Sequence, residues 1–320
     1  MHNSLKNRFE IVFCYDIKDG NPNGDPLDEN KPRLDEQTGI NLVSDVRLKR
    51  TIRDELAERG HQLWVSGETV TSQKRTEQIL AQAGAKYESK EQVLQVLLEN
   101  CIDLRLFGGT LPLKLRKKGG EGEGGGEGEG VSLTGPVQFR LGRSLHRVAP
   151  VFMQGTAAFV SKENAAQRSF REEWLLPYSF IAFYGIVNQN AAKNTGLREE
   201  DVSLMFEAVW NGTKNLITRS KMEQMPRFLL AVRYREGVNT HIGELDKYVR
   251  LNASVDDEEL RDVAQLHLNV EKMRDALRKY DDHVAAIYLR VDDRLVVEDN
   301  SGVINDPMTY FGSKTQQFPF

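Results

Sequence analysis

Apolar residues alternate along Phe9–Tyr15 (FEIVFCY). Phe9, Ile11 and Phe13 interleave with Glu10 and Val12, the period of a β-strand. The period then changes. Leu48, Ile52 and Leu56 recur every four residues and stripe a helix over Asp45–Arg59, which Ser44 caps and Gly60 stops. Leu63–Val65 reads as a short strand. Ser72–Ala83 and Lys90–Glu99 read as two helices, from Ile79 and Leu80 and from Val93, Val96 and Leu97, making a helical insertion over 66–100. Ile102–Phe107 reads as a strand or extended element ending at Gly108-Gly109. Val137–Val148 alternates loosely, with Gly142 marking a bulge. Trp174–Val187 is strongly apolar but broken by Pro177 and Gly185, which suits a core strand and not a membrane helix.

Arg198–Asn211 reads as a helix burying Val202, Met205, Phe206, Val209 and Trp210, and Phe228–Tyr234 as a strand. Asp256–Tyr280 reads as one long amphipathic helix, with Leu260, Val263, Leu266, Val270, Met273 and Leu277 at three- and four-residue steps. Ala285–Val291 and Arg294–Glu298 flank Asp292-Asp293 at the spacing of a tight hairpin, and the last residues read as loose. Strand, helix, strand, then strand, helix, strand is the order of an α+β protein with a ferredoxin-like β-α-β-β-α-β core carrying long insertions.

The first strand runs into Asp19-Gly20-Asn21-Pro22-Asn23-Gly24-Asp25-Pro26. Two Gly, two Pro, two Asn and two Asp in eight residues predict a rigid polar loop, either a tight turn or a functional one. Asp19-x-Asn21-x-Asn23-Gly24 matches the first half of an EF-hand loop. The match then fails, because the twelfth position is Asn30 and a strand precedes the loop. Asp16, Asp19, Asp25 and Asp28 offer carboxylates for a divalent metal, with no second cluster to complete a site. The six histidines are scattered, and no P-loop, GxSxG or GxGxxG occurs.

The 320 residues (36.3 kDa, 39% hydrophobic) suit one large domain with insertions, or two. No run of 18 apolar residues spans a membrane, and the first residues lack the apolar core of a secretory signal. Two cysteines, Cys14 and Cys101, with no CxxC, point to a reduced cytoplasmic protein with buried thiols. Gly119–Gly130 is nearly pure Gly and Glu and is expected to be a disordered loop within the domain.

A net charge of −4 argues against a nucleic-acid binder until its distribution is read. Arg140, Arg143, His146 and Arg147 lie in a stretch, Val131–Pro150, without an acid. Lys114, Arg116, Lys117 and Lys118 form a second basic group, and Lys214, Arg219, Lys221 and Arg227 a third. Lys49, Arg50 and Arg53, with Arg47 further round, fan out beside the apolar stripe of the first helix. Such segregation suits a phosphate backbone gripped on one face, with a solvated helix face as the simpler alternative. Val151–Trp174 carries Phe152, Met153, Phe159 and Phe170, which suit either a core or a hairpin wedging against bases.

NPNGDP after the first strand and SDVRLKRTIRDEL in the helix resemble the backbone subunit of the type I-C CRISPR surveillance complex (Cascade), within the RAMP superfamily. DLRLFGG at Asp103–Gly109, LTGPVQFRLGRSLHRV at Leu133–Val148 and LITRSKMEQMPR at Leu216–Arg227 resemble the same family. The resemblance implies a single domain over 1–320 with an RRM-like core and a thumb hairpin, for which 151–174 is the candidate and the Ser72–Glu99 insertion the alternative. It also implies a non-enzymatic filament, without cofactor, that binds CRISPR RNA (crRNA) and presents its spacer to target DNA. Partners would be copies of itself, other Cascade subunits and, indirectly, a recruited helicase-nuclease. Asn21, Asn23, Lys49, Arg50, Arg53, Arg140, Arg143, His146, Arg147, Met153, Lys214, Arg219 and Lys221 are the expected RNA contacts. In another RAMP branch a loop carboxylate cuts RNA, so a metal-dependent RNase using Asp19 or Asp25 is the alternative.

Overall fold

The computed structural model describes residues 4–84, 89–111, 130–156 and 170–320. β1 (Phe9–Gly20) runs longer than its alternating segment and carries the chain into the polar loop, where β2 (Gly24–Asp25) and β3 (Lys31–Pro32) pair, followed by the edge strand β4 (Leu34–Asp35). β5 (Ile40–Val43) leads to α1 (Asp45–Glu58), which Ser44 caps as expected by accepting the Arg47 amide at 3.2 Å. α2 (Ser72–Gln82) and α3 (Lys90–Asn100) form the insertion around a small core of Ile79, Leu80, Val93 and Leu97.

Ile102–Phe107, read as extended, is the helix α4, and Leu63–Val65 forms no strand. Asp103 decides both. Fully buried, it accepts the amides of Trp64 at 2.8 Å and Val65 at 3.0 Å, so those two residues bond a carboxylate and not a neighbouring strand. Gly108 then turns the chain at φ 66. A Cβ there would lie 2.1 Å from the Leu133 carbonyl oxygen, across the ladder between β6 (Gly108–Leu111) and β7 (Val131–Thr134). The Gly/Glu tract lies outside the described residues, save Gly130.

β8 (Val137–Phe139) and β9 (Gly142–Arg147) split the loosely alternating stretch at Arg140-Leu141. β10 (Val151–Thr156) pairs antiparallel with the start of β11 (Phe170–Val187), Val151 opposite Leu175 through Thr156 opposite Phe170. β11 crosses Pro177 without ending. The facing residue, Asp19, takes φ 48 and is the position the β1–β11 ladder skips, so the missing proline N–H costs no bond. α5 (Gln189–Thr195) and α6 (Glu199–Lys214) follow, then β12 (Met225–Tyr234).

The 256–280 stretch is not one helix. Leu260 follows one 3-10 turn (257–259) and Val263 opens another (263–265), and β13 (Arg250–Ala253) pairs with β14 (Leu266–Asn269) before α7 (Glu271–Lys279). All six spaced apolar residues are buried against one core, so the spacing reports a shared destination and not one helix face. The expected 285–298 hairpin is absent too. β15 (Val284–Val291) joins the main sheet, while β16 (Val296–Asp299) pairs with β14 and β17 (Gly302–Val303) in a second sheet. After α8 (Pro307–Tyr310), β18 (Thr315–Gln317) adds to the main sheet and Phe318 is buried, so this end is packed and not loose.

The main sheet reads β18-β15-β12-β1-β11-β9-β5-β4, with β8 and β10 also pairing β11. Phe9, Ile11, Phe13, Tyr15 and Ile17 pack with α1 and α6 on one face. Val12 and Cys14 pack with the second sheet and α7 on the other. β1 is therefore buried on both faces, as a central strand must be. Glu10 is fully buried and bonded to Tyr184 and Tyr234. Both cysteines are buried free thiols, and burial pushes Cys101 up to about 12.

α1 and α6 cross closely at Gly212, where a Cβ would lie 2.8 Å from Glu55 Cβ and 3.0 Å from the Thr51 carbonyl oxygen. Gly212→Leu is expected to cost about 1–3 kcal/mol by forcing the helices apart. A urea unfolding series reads this as a lower midpoint at unchanged slope, and an unshifted midpoint would show the crossing to be loose.

Candidate nucleic-acid interface

The polar loop is a braced platform. The Asn21 amide donates to the Ser220 carbonyl at 2.7 Å, and its Nδ2 to the Asn30 carbonyl at 2.6 Å. Asn23 Oδ1 accepts the Ser44 amide at 2.8 Å, tying the loop to the N-terminus of α1. Both asparagines thus spend side-chain groups on the fold. Asp25 accepts the Leu27 amide at 3.0 Å and Arg33 Nη1 at 2.9 Å, Asp28 pairs Lys31, and Asp16 is buried against Arg227 and Tyr178. Among the described residues no three His, Cys, Asp or Glu converge as metal ligands.

Those braces bring Lys221, next to Ser220, up to Arg47 in the first turn of α1. Lys221 reaches only Ser220 Oγ, at 3.5 Å, and Arg47 only Thr51, at 3.3 Å. Among the described residues neither forms an ion pair, and Asp54 acts on Arg47 only through its charge. Burial, and then the charge of Arg47, hold Lys221 below the usual lysine range; burial also lowers Arg47. Two like charges half-buried side by side oppose each other, and an anion between them removes the opposition. Val46, Ile217 and Met222 stand exposed on the same two segments. Sequence reading places Arg47 off the main basic face. Its proximity to Lys221, 174 residues away, depends on the loop braces and is not written in local periodicity.

A cleft of about 640 Å³ opens beside this platform, lined by Asn23, Lys31, Arg33, Ser44, Leu141 and Trp174 among others. At its rim Val151, Phe152 and Met153 of β10 are exposed, with Phe152 5.0 Å from the Trp174 ring. Lys214 closes α6, exposed and without an ion pair among the described residues. Arg219 bonds Glu173 at 2.8 Å.

Other expected contacts are engaged or elsewhere. Lys49 pairs Asp45 at 2.9 Å, and Arg50 pairs Asp54 at 2.6 Å. Arg53 is 13% exposed, pairs buried Asp103 at 3.1 Å and stacks over Phe107, so it holds α4 to α1. The helix therefore lacks the free basic face its sequence suggests. Arg140 and Arg147 face Glu244 and Glu258 near the second sheet, and Arg143 faces Asp35. His146 is buried. Its Nε2 accepts the Phe180 amide at 3.1 Å, so Nδ1 carries the proton toward the Arg147 and Asp257 carbonyls, and burial lowers its pKa. It pins β9 and is unavailable to a base.

The family model described as CRISPR-associated protein Cas7 matches residues 7–271. The chain belongs to the Cas7 family. A CRISPR-associated protein Cas7 of Haloferax volcanii is 32% identical over 305 residues, covering 91% of this chain and 89% of that protein. Among solved structures, a chain of a "CRISPR RNA-guided surveillance complex, pre-nicking" shares the fold at TM-score 0.51 and 14% identity, over 97% of this chain and 96% of that one. In this Cas7-family chain, β15 and β18 of the main sheet lie beyond the matched residues. No helix among the described residues is long and apolar enough to cross a membrane.

Proposed function

We propose that this Cas7-family chain is a non-catalytic RNA-binding scaffold of a type I-C surveillance complex, working in the cytoplasm. Copies of it line a CRISPR RNA, beside other Cascade subunits, and present the spacer to a target DNA strand. Protein contacts go to phosphate and sugar while base pairing carries the sequence, and a recruited helicase-nuclease removes the DNA. The observation that carries this reading is the Arg47–Lys221 pair, two half-buried cations without an ion pair among the described residues, whose mutual repulsion Asp54 offsets only in part and only at Arg47. Family membership supports the assembly. The order β12-β1-β11-β8, with α1 and α6 in the two crossovers, supports a ferredoxin-like, RRM-like core. The β10–β11 ladder with its exposed Phe152 and Met153 supports the 151–174 thumb.

Purified protein is expected to carry RNA of discrete length. Incubated with complementary RNA or DNA and Mg²⁺ or Mn²⁺, the assembly is expected to leave both intact, because Asp25 is committed to Arg33 and the Leu27 amide. Metal-dependent scission that EDTA and Asp25→Ala both abolish would replace the scaffold with the nuclease.

A further inference from the structure

Three elements around the cation pair are tied together by acidic side chains. Glu173, at the root of β11, holds Arg219 at 2.8 Å, and Arg219 lies two residues before Lys221. Trp174, the next residue of β11, donates its indole N–H to Glu29 of the polar loop at 3.4 Å, and Lys31 lies 5.2 Å over its ring. Phe152 of β10 packs on the same indole. The polar loop, the 216–224 segment and the hairpin root therefore meet at Glu173 and Trp174.

The exposures are unequal. The Arg219 side chain is 55% exposed and that of Glu173 only 24%. The arginine faces solvent, where a ligand arrives, while the carboxylate is held against the protein behind it. A carboxylate and a phosphodiester offer a guanidinium the same paired oxygens. The Arg219 Nη2 that Glu173 holds can serve only one of them at full strength.

Resting on the scaffold reading, we propose that Glu173 is a built-in competitor for RNA, occupying Arg219 in the free protein until a backbone phosphate displaces it. The competition discriminates by length. RNA already held at Arg47 and Lys221 presents its next phosphate to Arg219 as an intramolecular ligand, at high effective concentration. A short oligonucleotide with few other contacts has no such advantage, and Glu173 holds it off.

The test is fluorescence anisotropy with labelled oligouridine, short and long, against wild type, Glu173→Gln, Glu173→Ala, and Glu173→Gln combined with Arg219→Ala. Both single variants are expected to bind about two- to fivefold more tightly, the range of an exposed ion pair. The gain is larger for the short oligonucleotide, and the salt dependence steepens by up to about 0.7 in log–log slope, since no carboxylate must be re-solvated. Adding Arg219→Ala abolishes the gain. Wild-type binding with both Glu173 variants unchanged or weaker overturns this inference alone, as does a gain that survives Arg219→Ala. A wild-type protein that bound no oligouridine would overturn the scaffold reading, and this inference with it.

Discussion

Arg47→Glu combined with Lys221→Glu is expected to yield a folded protein that purifies without RNA. On the proposed function the two cations share one phosphate-binding position, so reversal removes the attraction and puts two carboxylates where the anion would sit. Like charges so placed cost several kcal/mol, on the order of a hundredfold or more in Kd. The fold should survive at a modest cost. Among the described residues Lys221 bonds Ser220 Oγ and Arg47 bonds Thr51 of its own helix, so neither side chain ties distant segments together, and neutral hydrogen bonds of this kind contribute about 0.5–1.5 kcal/mol each. The measurement pairs the absorbance ratio of purified protein with its melting temperature. RNA retained at the wild-type level would refute the assignment. Arg53→Glu is the instructive contrast: it also loses RNA, but by unfolding, because Asp103 would face a second buried carboxylate.

Glu10→Ala is expected to lower stability by about 3–5 kcal/mol, the largest single-residue effect anticipated here outside the main apolar core. Glu10 is fully buried at the start of β1 and accepts four hydrogen bonds. These come from the Tyr184 hydroxyl at 2.6 Å, the Tyr234 hydroxyl, and the amides of Ile242 at 2.8 Å and Gly243 at 2.7 Å. Removing it leaves the two hydroxyls and the Gly243 amide without their acceptor, and leaves the Ile242 amide with only the Tyr234 hydroxyl oxygen at 3.0 Å. Glu10→Gln, which keeps one acceptor oxygen, should lose less. Urea unfolding gives the magnitude, and hydrogen exchange should show faster opening around 242–243 before the sheet itself. A shift below about 1 kcal/mol for Glu10→Ala would show that water replaces the carboxylate.

Glu10 also marks where reading by period runs out. In FEIVFCY it stands as the polar member of an alternation and looks solvated. The strand is central, with a second sheet over that face, and the carboxylate is instead the anchor that ties the 237–244 loop down. The same second layer accounts for the misread helix at 256–280. Residues spaced by three and four there all reach one core, through 3-10 turns, a strand and a short helix. Ile102–Phe107 is a third instance: six residues buried throughout have no period to distinguish strand from helix, and Asp103 decided it through amides 38 and 39 residues away.

Local information sufficed wherever the partner of a group lies within a turn or two of it. The Ser44 cap, the Leu48–Ile52–Leu56 stripe, the two insertion helices and the long strand through Pro177 follow from neighbours along the chain, and the ordered blocks of sequence carried the family resemblance. The residues that hold charge were legible as types and not as sites, because a cation's role depends on which carboxylate lies within about 4 Å in space. Tertiary structure gave Lys49, Arg50, Arg53, Arg140, Arg143 and Arg147 acidic partners, buried His146, and left Arg47 near Lys221 without an ion pair among the described residues. That choice was made by the braces from Asn21 to Ser220 and from Asn23 to Ser44, bonds between segments up to 199 residues apart that no spacing along the chain encodes.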